Sequence, residues 1–231
     1  LGLLYHNVHL DYPKAVEYFI MAKEVLEKEG YNSSIEYIST LNNIGLCYQN
    51  LGMSSYSISI YDLAEDIVLK NYGSEHLMYA TIVQNKSKFY AQIGDYESAL
   101  SYGSLARDCM GRIFGTESEK YGLCLQNLGM YHIWMKQWEE AKKYLTTAVD
   151  ILDKTNVLFS IPIHINLLNI YSNERNWELF DQTVNRCVAL IKEYGLVGTD
   201  TDASLNGTVG YCMVINNMLE GKQYLRYAMD L

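Results

Sequence analysis

The stretch that decides the fold is NLGMYHIWMKQWEEAKKYLTTA, Asn127 to Ala148. It holds Leu128-Gly129, an aromatic stretch, the turn-like Met135-Lys136-Gln137, and two small residues, Ala141 and Ala148, seven places apart. Residues seven apart lie two turns apart on one helical face, and small ones there let a neighbouring helix approach closely. Working outward, the second small residue recurs as Ala22, Ala64, Ala106, Ala148, Cys187 and Ala228, at intervals of 42, 42, 42, 39 and 41. Its companion seven places earlier is Ala15, Ser57, Ala99 and Ala141, then Phe180 and Gly221. Such a period marks a repeat protein.

Upstream of each pair lies a second amphipathic pattern: Ile44-Gly45 with Tyr48, Ser87 with Tyr90, Leu128-Gly129 with His132, and Leu167-Leu168 with Tyr171. Apolar or small residues at i, i+1 and i+4 define one buried stripe. Each unit is therefore two helices, separated by Leu51-Gly52-Met53, Ile93-Gly94-Asp95, Met135-Lys136-Gln137 and Glu174-Arg175-Asn176. Gly52 and Gly94 suit the left-handed position past a helix end, and Asp95 suits the cap of the next helix. Loops this short make the paired helices antiparallel. The expected architecture is an all-α, right-handed superhelical solenoid forming a single domain over 1–231. Its approximate units are 1–30 (partial), 31–72, 73–114, 115–155, 156–197 and 198–231, about 5.5–6 repeats in all.

These residues resemble the tetratricopeptide repeat family, whose Leu-Gly, Tyr, Gly, aromatic, Ala, aromatic, Ala pattern is matched best over Asn127–Ala148 and Ile93–Ala106. The common repeat of that family is about 34 residues. The longer period here, with Gly73-Ser-Glu-His-Leu-Met-Tyr-Ala80 echoed by Gly115-Thr-Glu-Ser-Glu-Lys-Tyr-Gly122, looks like kinesin light chains, repeats beside caspase-like (CHAT) proteases, and bacterial quorum-peptide receptors. Departures are the Phe180 and Cys187 of the short fifth unit, which predict local irregularity, and Lys86, which stands where a Leu is expected. Gly221 and Met213 make the sixth unit the weakest match.

Stacked helix pairs bury one stripe and leave another lining a concave groove. The residue one place before the Leu-Gly position is Asn43, Asn85, Asn127 and Asn166, in step with the repeat. Asn is a poor helix former, so four in register ask for a reason. A carboxamide offers both an acceptor and donors, so a ladder of them can hold the backbone of an extended peptide whatever its side chains. On the same face Met130 and Trp134 would form an adaptable apolar patch, Lys88 would meet a carboxylate, and Asn50, Gln92 and Asn169 would tune selection. The resemblance implies peptide binding through such asparagines. Two alternatives stay open: each amide bonds to an adjacent helix and fixes the angle between repeats, and Trp134 packs across the groove. Tyr37, Tyr79 and Tyr121, spaced at 42, are read as packing against the preceding helix.

A formal charge of −9 and a pI near 5.0 disfavour nucleic acid or an anionic bilayer as the main partner, because both demand clustered Lys and Arg. Five widely spaced cysteines with no C-x-x-C fit buried free thiols in a reducing compartment, so the cytoplasm is expected. No P-loop, G-x-G-x-x-G or H-E-x-x-H pattern appears, and no cofactor or metal is expected. Asp200-Thr-Asp202 begins like a calcium loop, but Leu205 and Tyr211 occupy the required Gly and Glu places. Of His6, His9, His76, His132 and His164, the last two fall on core stripes and are expected to be satisfied core histidines. The first residue is Leu1 rather than Met, so the native start is expected upstream, and partner domains of the same full-length chain are among the expected ligands. The expected function is a non-catalytic module that captures a protein or peptide as a scaffold or regulatory arm. The rival reading is a structural spacer or self-association module with an empty groove.

Overall fold

The computed structural model describes residues 2–7 and 11–216. Among them are eleven helices and no strand: α1 (Gly2–Asn7), α2 (Tyr12–Lys28), α3 (Ile35–Asn50), α4 (Ser54–Tyr72), α5 (Leu77–Gln92), α6 (Tyr96–Phe114), α7 (Glu119–Trp134), α8 (Trp138–Thr155), α9 (Val157–Asn173), α10 (Trp177–Glu193) and α11 (Asp200–Ile215). The all-α solenoid of helix pairs anticipated from the period is what these elements build. The chain divides into two compact units, residues 1–116 and 117–231. In the first, α3 packs on α4 and α5 on α6; in the second, α7 packs on α8 and α9 on α10. Gly221 and Ala228, which would complete the sixth small-residue pair, lie outside the described residues, as does His9.

Small residues bring the paired helices together as their spacing implied. Ala15, Ala64, Ala99, Ala106, Ala141 and Ala148 are all buried, whereas Ala22, the first of the series, is exposed. A Cβ on Gly45 would lie 2.7 Å from the Tyr61 ring, and one on Gly129 would lie 2.5 Å from Leu145 Cδ2. A small residue on the first helix thus seats a large one from the second. Where serine takes a small position, its hydroxyl finds a buried carbonyl: Ser57 Oγ donates to Gly45 O at 2.8 Å and Ser87 Oγ to Ala99 O at 2.9 Å. Leu168 and Phe180 break the rule in the fifth unit and are both buried, Phe180 meeting Trp177 edge-on at 5.5 Å.

The turns inside the pairs share one geometry. Met53 N donates to Tyr48 O, Asp95 N to Tyr90 O, Gln137 N to His132 O and Asn176 N to Tyr171 O, all at 2.8–2.9 Å, which closes each first helix with a Schellman motif. Its left-handed residue is Gly52 (φ 71°), Gly94 (φ 84°), Lys136 (φ 59°) or Arg175 (φ 54°). Asp95 caps α6 by accepting from Ser98 N at 3.1 Å, as expected. Between units the chain turns through Gly73 and Gly115 to the caps His76 and Ser118. In the fifth unit that connection is gone, and Asn156 alone separates α8 from α9. The missing residues of the short interval are the loop itself. Helix α9 is apolar on nearly every side, with ten buried residues, because it is covered by α8, α10 and α11.

Candidate functional site

The residues assigned to the groove lie on the first helices of successive pairs. In unit 1, α3 and α5 lie side by side, and their facing polar residues are tied to one another. Asn85 Nδ2 donates to Asn42 Oδ1 at 2.8 Å. Gln49 Nε2 donates to Gln92 Oε1 at 2.9 Å, Gln92 Nε2 donates to Gln49 O at 3.3 Å, and the buried Tyr61 hydroxyl donates to Gln49 Oε1 at 3.0 Å. In unit 2, Asn166 Nδ2 donates to the Met130 sulfur at 3.0 Å, and Asn169 Oδ1 accepts from Cys212 Sγ at 3.5 Å. Asn50 bonds back to Leu46 O of its own helix at 2.9 Å. Five of the residues assigned by sequence to a ligand are thus hydrogen-bonded within the protein, and Met130 serves as an acceptor as well as apolar surface. The physical reason is proximity: a neighbouring first helix offers a polar partner at hydrogen-bond distance, and a half-buried amide with such a partner takes it.

Asn43 and Asn127 differ. Both are half-buried, and neither amide makes a side-chain hydrogen bond among the described residues. Asn43 lines a hollow of about 640 Å³ in unit 1, walled by α1, α2, α3 and the start of α5. Ser39 and Thr40 border it beside Asn43, and its apolar surface comes from Tyr18, Phe19, Ile35 and Met78. A smaller hollow of about 230 Å³ in unit 2 lies between α9 and α11, with Asn166, Ser204 and Asp200 on its rim over Pro162 and Ile165. The α1 and α2 contributions were not legible in the sequence, because no phase argument places an adjoining helix over α3. Trp134 is 46% exposed and its ring lies 5.8 Å from Tyr131, while Lys88 is exposed on α5.

Lys86, the departure noted above, is buried with 3% exposure. Its ammonium lies 2.7 Å from Asp62 Oδ1 and 2.5 Å from Glu65 Oε2, and 4.4 Å from the centre of the Tyr102 ring. Burial is the largest single influence and would lower its pKa, but the bonds to Asp62, Glu65 and Tyr102 together outweigh it and hold the group above its ordinary value. The cluster joins α4, α5 and α6 and works as a structural tie.

Two histidine expectations need correction. His132 is only half-buried: its ring stacks on Tyr144 at 5.3 Å and Nδ1 lies 2.6 Å from Gln137 Oε1. His164 is buried as expected but not satisfied, for its Nε2 has no hydrogen-bond partner and Asp153 Oδ1 stands 3.5 Å away. That carboxylate is occupied by Ser160 and by Arg186, the latter at 3.4 Å. His76 caps α5 through Nδ1, 3.1 Å from Met78 N. Tyr37 packs on the preceding helix as expected, its hydroxyl donating to Glu27 at 2.7 Å, and burial followed by that bond pushes it up to about 12.

All five cysteines are buried. Burial pushes the Cys47 thiol up to about 11 and Cys187 up to about 12, so little thiolate exists at neutral pH. The Asp202 carboxylate accepts from Gly198 N and Asn206 at 3.0 and 2.8 Å, which accounts for it without calcium. Among the described residues no group of three or more His, Cys, Asp and Glu is placed to hold a metal, and no helix is long and apolar enough to cross a membrane.

Residues 79–154 match the tetratricopeptide repeat family. No curated protein matches in sequence. Among solved structures, BtubC (BKLC) from P. vanneervenii superposes with a TM-score of 0.77 at 16% identity, over 95% of this chain and 90% of its own. A putative kinesin light chain with nearly identical TPR-like repeats, from Podosopora anserina, gives 0.71 at 14% identity over 84% and 93%. A Rap protein complexed with Competence and Sporulation Factor gives 0.71 at 18% identity; it covers 99% of this chain, which spans 62% of that protein. At these identities the likeness is one of fold. Residues 79–154 match tetratricopeptide repeats, and the all-α fold of paired helices that contains them is shared with these TPR-like structures.

Proposed function

We propose that this chain is a non-catalytic interaction module that takes an extended segment of a partner protein against its inner wall, as the scaffold or regulatory arm of a larger assembly. Tetratricopeptide-type folds mediate contacts between proteins, and one structural neighbour was solved with its factor bound. The observation that carries the reading is Asn43: a half-buried carboxamide without an internal partner, on the edge of a hollow large enough for a side chain and its backbone. Asn127 is the corresponding amide of unit 2. Asn85, Asn166, Gln92 and Asn169 form a supporting rank that fixes adjacent helices.

The test is panning a phage-displayed peptide library on the whole chain, followed by fluorescence anisotropy with the selected peptides. Asn43→Ala should leave the melting temperature unchanged and weaken binding. Asn85→Ala should lower stability by about 1 kcal/mol through loss of its bond to Asn42. Unchanged binding by Asn43→Ala, or no selected peptide at all, defeats the proposal.

The spacer reading has its own support, since the Asn42–Asn85 and Gln49–Gln92 pairs brace neighbouring helices without any ligand. It predicts a substantial stability loss at Asn85 and no peptide binding to lose at Asn43.

A further inference from the structure

The hollow of unit 1 carries a charge signature that narrows what it can hold. Its floor is apolar, and among the described residues the one charged group on its wall is Glu36, exposed in the first turn of α3. Glu36 makes no ion pair among the described residues. Two cations carried by α2 already have partners: Lys14 with Asp11 at 3.2 Å and Lys23 with Glu27 at 2.8 Å. The smaller hollow of unit 2 repeats the composition independently, with Asp200 as its one charged group among the described residues, again without an ion pair among them, over Pro162 and Ile165. Among the described residues neither hollow is lined by a Lys or Arg, and the chain as a whole carries −9. A negative group beside an apolar recess, in a negative field, selects against acidic segments and for basic ones.

We infer that the unit 1 hollow takes an apolar side chain of the partner segment with a Lys or Arg adjacent to it, the cation meeting Glu36 while Asn43 holds the backbone. This rests on the peptide-binding reading above and adds the chemistry of the ligand. An acid in the first turn of α3 is also favourable toward the helix dipole, which would explain Glu36 without any ligand. The two explanations part in experiment, because the dipole acts on stability and the ligand on affinity.

The probes are short acetylated and amidated Gly-Ser peptides carrying one Leu or Phe followed by Lys, Gln or Glu, measured by anisotropy against the whole chain. The Lys peptide should bind about threefold more tightly than the Gln peptide, the scale of one exposed ion pair, and the Glu peptide should be weakest. Raising the salt to about 1 M, where the Debye length is near 3 Å, should erase the difference. Glu36→Gln should erase it too while keeping the affinity that all three share. Ala22→Trp, which fills the hollow from α2, should abolish binding of all three. Equal binding of the three peptides, blocked by Ala22→Trp, overturns the charge inference and leaves the peptide-binding reading standing. No binding above that of a plain Gly-Ser peptide, together with an empty library selection, overturns both.

Discussion

The four turns inside the helix pairs permit a direct test of how the backbone, rather than any contact, sets stability. Gly52 and Gly94 sit in the left-handed region, and the equivalent places in unit 2 are filled by Lys136 at φ 59° and Arg175 at φ 54°. A residue with a Cβ loses roughly 1–2 kcal/mol in that conformation, whereas glycine loses about 0.5–1 kcal/mol through its freer unfolded chain. The difference predicts that Lys136→Gly and Arg175→Gly each stabilise by about 1 kcal/mol. Both side chains are exposed and make no hydrogen bond or ion pair among the described residues, so nothing is given up in exchange. The sites are 39 residues apart in different turns, and the double variant should gain about 2 kcal/mol. For a chain of this size that raises the melting temperature by about 4–8 °C. The reverse exchanges, Gly52→Ala and Gly94→Ala, should each lose about 1 kcal/mol, since a Cβ at either glycine meets nothing within 4 Å and only the dihedral is perturbed. Circular dichroism melts and urea titrations of the parent and the five variants decide the matter. A double glycine variant that melts at or below the parent, with neutral alanine variants in unit 1, would refute the reasoning.

Three further outcomes follow from the buried titratable groups. Asp62→Asn with Glu65→Gln leaves Lys86 charged and unpaired, and urea unfolding should show a loss of about 3 kcal/mol, the low end for a broken buried pair because Asp62 is more than half exposed. Lys86 has a raised folded pKa, so its contribution is whole below about pH 10.5 and declines as pH rises; the parent's urea midpoint should therefore fall more steeply above that pH than that of Lys86→Met. His164 is displaced the other way, below its ordinary value, by burial against the weaker pull of Asp153. The stability it confers is present above about pH 6.5 and lost as pH falls, so melting temperature should drop as pH falls below about 6.5 in the parent and flatten in His164→Leu.

The period was legible because each unit solves one packing problem with the same residues. Gly45 under Tyr61 and Gly129 under Leu145 are the same contact two units apart, and the turn glycines recur because the Schellman geometry recurs. The partners of the amides were not legible. Helical phase states which face a side chain occupies, but not whether another helix stands within 3 Å of it. Asn85 bonds to a residue 43 places back in a sequence whose period is 42, so its partner is Asn42 and not the ladder residue Asn43. His132 was misread for a related reason. Its place in the repeat is that of Tyr90, which stacks on Tyr102 at 5.3 Å rather than sinking into the core, and His132 stacks on Tyr144 in the same way.

Loop length decides which partner the ladder asparagine of the next unit meets. Where a full connection such as Gly73 to His76 joins the units, the next first helix lands so that its ladder asparagine meets an amide one place before the previous rung, and the bond is a good one. Where Asn156 alone joins α8 to α9, the interval shortens by three residues, yet Asn166 reaches back only 36 places, to Met130, three places after Asn127. Relative to its ladder rung, the contact has moved by four residues, about one helical turn or 6 Å. A thioether sulfur is a weaker acceptor than a carboxamide oxygen, so Asn166 is held less firmly than Asn85. Shortening one connection therefore exchanges the amide partner of a ladder asparagine for a thioether, and it is the absent loop, not any change in the ladder itself, that loosens Asn166.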